Sequence, residues 1–66
     1  MLVLETLIEL DRMLDGLPPK VRRVFLLSQL DGLPYAEIAA REKISVSSVQ
    51  KYMIRSYTAC YRVMQA

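Results

Sequence analysis

The sequence predicts an all-α fold: one small domain of four helices, with a helix-turn-helix in its C-terminal half. Three observations carry that expectation. Apolar residues recur at helical spacing, and no stretch alternates with the two-residue period of a strand. The glycines and prolines fall between the periodic blocks, at Gly16, Pro18, Pro19, Gly32 and Pro34. The chain has 66 residues, enough for one domain.

The first block runs from Leu2 to Asp15. Leu4, Leu7, Ile8 and Leu14 recur at helical spacing, with Glu5, Glu9 and Arg12 between them, which predicts an amphipathic helix. Gly16 is the expected stop, followed by Leu17-Pro18-Pro19. The second block runs from about Pro19 to Asp31. Proline suits a first helical turn because the N–H it lacks has no partner there. Val21, Val24, Phe25 and Ser28 share one face, and Gly32 ends the block. The third is short, about Pro34 to Glu42, with Ile38 and Ala39 facing inward and Leu33 nearby. The fourth starts after Ser45, a good N-cap, and runs to near the C-terminus. Short connectors of this kind are ordinary in a helical bundle.

Composition limits the function. The hydrophobic fraction is 53%. Two readings of it stand equal: helical cores rich in Leu and Ala, or apolar surface awaiting a partner or a second copy. A membrane span needs about 20 largely apolar residues, and Glu5, Glu9 and Asp11 interrupt the N-terminal leucines. Cys60 is the only cysteine, so no disulfide forms within one chain. The expected location is the cytoplasm. No histidine, acidic pair at a cleft, glycine-rich phosphate loop or metal-ligand cluster is present. The sequence therefore predicts no enzyme, no cofactor and no metal.

Charge is unevenly placed. Up to residue 40 four bases (Arg12, Lys20, Arg22, Arg23) face six acids (Glu5, Glu9, Asp11, Asp15, Asp31, Glu37). Beyond it five bases (Arg41, Lys43, Lys51, Arg55, Arg62) face Glu42 alone. A basic end on a small domain suits a polyanion, although a solvated face with chance bias gives the same numbers.

The third and fourth blocks carry the motif. Two helices meeting across a tight turn need a small residue at their closest approach, and Ala39 supplies it. Lys43 stands at the turn, and Val49 packs back from the second helix. Ile38, Ile44 and Val46 flank them. This is helix-turn-helix spacing, at about 34–64. The turn favours a left-handed backbone, where Lys43 costs about 1 kcal/mol relative to glycine. Turning the last helix by about 100° per residue puts Val49, Tyr52, Met53, Ser56, Cys60 and Val63 on one face. Ser47, Lys51, Ile54, Arg55, Thr58 and Arg62 fall on the other, flanked by Ser48 and Gln50. Such an outer face fits the major groove: Gln pairs with adenine, Lys and Arg reach guanine or phosphate, and an aliphatic group touches a thymine methyl.

Individual residues keep more than one reading. Lys51 and Arg55 fit phosphate or base contact better than a role in solubility. Ile54 fits a thymine contact and an ordinary exposed aliphatic equally. Arg22 and Arg23 fit DNA backbone contact and a solvated helix face equally. Tyr52 is expected in the core, Tyr57 and Tyr61 at the side of the helix over apolar surface, and Cys60 inward as a small core residue.

The run LPPKVRRVFLLSQLDGLPYAEIAAREKISVSSVQKYMIRSY resembles region 4 of extracytoplasmic-function sigma factors. The resemblance rests on Leu17-Pro18, Arg22-Arg23, Val24 to Leu27, Gly32, Tyr35, Glu37-Ile38-Ala39, and Ile44-Ser45-Val46 with Val49. LLSQLDGL and SVSSVQKY are similar to the iron-starvation, ferric-siderophore uptake subgroup. The resemblance implies a DNA-binding domain that recognises the promoter −35 element through the last helix. It implies docking on the RNA polymerase β flap through the earlier helices, and control by a membrane-bound anti-sigma regulator. By position, it implies that Ser47, Gln50, Lys51, Ile54 and Arg55 face base edges or adjacent phosphates. It places Tyr35 and Ser48 on the DNA backbone. The chain departs from the family at Pro34, where a capping Ser or Thr is usual, at Lys43, where glycine is usual, and at Gln50, where many relatives carry a base. Nothing resembles region 2, which reads and melts the −10 element, so an excised domain unable to start transcription alone is expected. Two alternatives remain: the output domain of a response regulator, and a helical interaction module that does not bind DNA.

Overall fold

The computed structural model describes residues 2–65. Met1 and Ala66, the ends of the expected domain, lie outside them. Four helices follow in order: α1 Leu2–Gly16, α2 Pro19–Gln29, α3 Tyr35–Glu42 and α4 Val46–Gln65. No strand occurs among the described residues, so the all-α expectation holds. The described chain is elongated, 39 × 18 × 16 Å, because α4 alone runs for 20 residues.

Each boundary has a local cause. Helix α1 ends at Gly16, the expected stop, but without a left-handed turn there: Gly16 is the last helical residue, and of the two glycines only Gly32 has positive φ. The stop is Pro18, whose ring excludes the α region for the residue before it, Leu17. The Leu17 N–H still bonds the Leu14 carbonyl at 3.2 Å, tightening the last turn. Pro19 occupies the first turn of α2, as expected. That helix ends at Gln29, two residues short of the expected Asp31, with Leu30 as its cap and Gly32 turning the chain at φ 64°. Pro34 sits just outside α3 and offers no side-chain cap; its carbonyl instead accepts from the Glu37 and Ile38 amides.

The core is built by α2, α3 and α4, each packed on the other two. Val24, Ile38, Ala39, Val49 and Met53 form its buried centre, surrounded by Phe25, Leu27, Leu33, Tyr35, Ile44 and Tyr52. Burying an aliphatic side chain of this size contributes roughly 1.5–3 kcal/mol. Ser56 is the one fully buried polar residue among those described, and its hydroxyl donates to the Tyr52 carbonyl at 2.9 Å. Helix α1 packs chiefly on α4, and an open groove between them is lined by Glu9, Arg12, Met13, Arg62 and Val63. Leu4, Leu7 and Ile8 on α1 are exposed, at 60%, 58% and 47%. The apolar excess in the composition is thus partly on the surface.

Candidate nucleic-acid interface

The turn between α3 and α4 fixes how α4 is presented. Lys43 adopts φ 57° and ψ 46°, the left-handed conformation that the spacing demanded of it. The Lys43 and Ile44 amides both donate to the Ala39 carbonyl, the latter at 3.0 Å. This binds the turn to α3 at the small residue where the helices meet. Ser45 then caps α4: its Oγ accepts from the Ser48 amide at 3.0 Å and donates to the Ser48 hydroxyl at 3.1 Å. Val49, fully buried, returns to the core.

Packing divides α4 as its periodicity does. Val49, Met53 and Ser56 are buried, and Tyr52, Cys60 and Val63 are half-buried. Ser47, Gln50, Lys51, Ile54, Arg55, Thr58 and Arg62 are all exposed. This outer face contains no acid, and α4 as a whole carries Lys51, Arg55 and Arg62 against no Asp or Glu. Among the described residues these three cations have no ion-pair partner. A cationic face without internal partners gives up no native contact when it meets an anion.

Two predicted backbone contacts sit differently. Tyr35, at the start of α3, is half-buried and packs against the core. Ser48 is half-buried, and its hydroxyl lies 3.1 Å from that of Ser45. Thr58 faces outward, but its hydroxyl bonds back to the Ile54 carbonyl at 2.8 Å. Tyr52 packs at the core edge as expected. Tyr57 covers Phe25, edge-to-face at 5.9 Å, and its hydroxyl accepts from Gln29 at 2.8 Å. Tyr61 is 65% exposed and covers little. Burial pushes the Cys60 thiol up from its ordinary pKa, away from the thiolate form.

The two arginines of α2 are engaged within the chain. Arg22 faces Asp15 at 3.6 Å. Arg23 donates through Nε to Glu42 Oε1 at 2.9 Å, crossing from α2 to the last residue of α3. Sequence reasoning missed this pair. The partners are 19 residues apart, and no periodicity links them. No group of three or more His, Cys, Asp or Glu side chains among the described residues is placed to hold a metal. No described helix is long and apolar enough to cross a membrane.

Comparison with known proteins agrees with this geometry. A family model described as sigma-70, region 4 matches residues 7–60. The chain is 58% identical over 57 residues to the ferric citrate uptake sigma factor FecI of Escherichia coli (strain K12). That alignment covers 86% of this chain and 33% of the relative, so the chain spans about a third of that protein's length. No solved structure matches. The matched segment includes most of α1, all of α2 and α3, and the capped, cationic part of α4. The chain therefore belongs to the sigma-70 region 4 family.

Proposed function

We propose that this chain is the part of an alternative sigma factor that reads the promoter −35 element and docks on the β-subunit flap of RNA polymerase, directing transcription of iron-uptake genes. The observation that carries the reading is the outer face of α4: capped, acid-free, cationic and exposed, on a helix-turn-helix of the sigma-70 region 4 family. Ser47, Gln50, Lys51, Ile54 and Arg55 enter the major groove or reach adjacent phosphates. Tyr35, at the start of α3, and Ser48, in the first turn of α4, lie on the DNA backbone. The whole chain is one domain, with the helix-turn-helix at about 34–64. The exposed Leu4, Leu7 and Ile8 of α1, with the neighbouring surface of α2, take the flap. The iron-uptake role follows the relative's name; control by a membrane-bound anti-sigma regulator, acting on a cytoplasmic protein, follows from the resemblance to the ferric-siderophore uptake subgroup. The role assigned here is binding, not catalysis. The family match favours this reading over a response-regulator output domain or a helical module that never meets DNA.

The test is a pair of titrations. A labelled β-flap fragment binds saturably, and the binding is lost when Leu7 and Ile8 are replaced by aspartate. Duplex DNA carrying the −35 element binds independently, and that binding survives the same replacements. Absence of flap binding at high micromolar concentration, with the chain shown to be folded, returns the assignment to a DNA-binding regulator of another kind.

A further inference from the structure

We infer that Arg23 and Glu42 form a strut that sets the helix-turn-helix angle for DNA reading, and that Arg23 is a positioning residue rather than a phosphate ligand. The inference rests on the DNA-binding role proposed above. Its basis is the placement of the pair. Glu42 is the last residue of α3 and immediately precedes the left-handed Lys43. Its side chain is 13% exposed, whereas that of Arg23 is 57% exposed. A carboxylate in the last turn of a helix faces the negative end of the helix dipole, so that site disfavours it. A largely desolvated carboxylate there needs a cation close by, and Arg23 supplies one at 2.9 Å.

The geometry gives the contact its direction. Arg23 neighbours Val24, which is in the same buried cluster as Ile38 and Ala39 of α3. The ion pair thus closes the rim of the α2–α3 contact at the end where α3 passes into the turn. The carbonyl that accepts both turn amides belongs to Ala39, three residues before Glu42. Displacing Glu42 therefore disturbs the turn, and with it the angle at which α4 presents Lys51 and Arg55 relative to Tyr35 at the start of α3. Arg23 has its Nε committed to Glu42, so the pair holds the scaffold while Lys51 and Arg55, unpartnered, remain for the DNA.

The inference predicts an asymmetry. Arg23→Ala strands a buried-edge carboxylate at the wrong helix end. Adding Glu42→Gln removes the stranded charge and suppresses the defect. The experiment compares the wild-type chain, R23A, E42Q and R23A/E42Q at a temperature where circular dichroism shows each folded. It measures affinity for −35 duplex DNA across a salt series, and amide exchange at Ile44 relative to Met53. The expected result is that R23A weakens DNA binding by at least about fivefold and speeds Ile44 exchange, while E42Q in the same chain restores both to within about twofold. The log–log salt slope stays at the wild-type value throughout. A slope made shallower by about one in R23A, with no rescue by E42Q, overturns the inference and makes Arg23 a phosphate ligand. Wild-type affinity and Ile44 exchange in R23A overturn it in favour of a solvated pair. If the wild-type chain binds no DNA, the DNA-binding role fails separately, and Ile44 exchange in R23A and its suppression by E42Q decide whether the strut exists.

Discussion

Helices α1 and α4 are both amphipathic, yet their apolar stripes meet different fates. On α4, Val49, Met53 and Ser56 are buried against two other helices. On α1, Leu4, Leu7 and Ile8 are exposed, because α1 has α4 as its chief neighbour and one neighbour covers only one side. The comparison teaches that a helical period reports a face, not a partner. Where three helices converge, the face is core; where one helix lies alone on another, part of its face is surface for something else.

Stability should therefore respond very unequally to the same kind of substitution. The largest effect is expected at the convergence. Ile38→Ala removes a fully buried side chain and should cost about 2–5 kcal/mol, much of the stability available to a small domain. Chemical denaturation measures it. The matched change on α1, Leu7→Ala, should shift stability by less than about 0.5 kcal/mol while weakening flap binding. A Leu7 variant as unstable as the Ile38 variant would place α1's stripe in the core and break the comparison.

Smaller effects sharpen it at the turn. Ser45→Ala removes the cap of α4 and should cost about 1 kcal/mol, read as a lowered unfolding midpoint. Lys43→Gly relieves the left-handed strain and should raise stability by up to about 1 kcal/mol, with the exposed face of α4 untouched. A thermal midpoint lowered by Lys43→Gly would mean that the lysine side chain contributes something that the backbone geometry does not reveal.

The sequence made the helix-turn-helix legible because its constraints are local. Ala39, Lys43, Ser45 and Val49 stand within eleven residues, and each has a physical reason for its place. The two faces of α4 were legible for the same reason. Boundaries were less so. Gly16 does end α1, but without the left-handed turn that glycine often supplies there; the prolyl ring at Pro18, which disfavours helix at Leu17, accounts for the stop. Long-range pairs were not legible at all. Arg23 read as equally suited to DNA or solvent, and only the packing of α2 on α3 brings it to Glu42. Gln29 and Tyr57 meet in the same way, across α2 and α4. The exposure of α1 had a sequence correlate, the high hydrophobic fraction, but composition does not say which helix carries the excess.

On the proposed function, the exposed face of α4 binds the DNA backbone and base edges with cations that have no ion-pair partner among the described residues. The most direct measurement is the salt dependence of duplex binding by the wild-type chain and by K51A/R55A. With about four phosphate contacts the log–log slope should lie near −4, and removal of two of them should bring it toward about −2 with an unchanged unfolding midpoint. A wild-type slope near zero, or a slope and affinity that ignore both replacements, would contradict the assignment of this face.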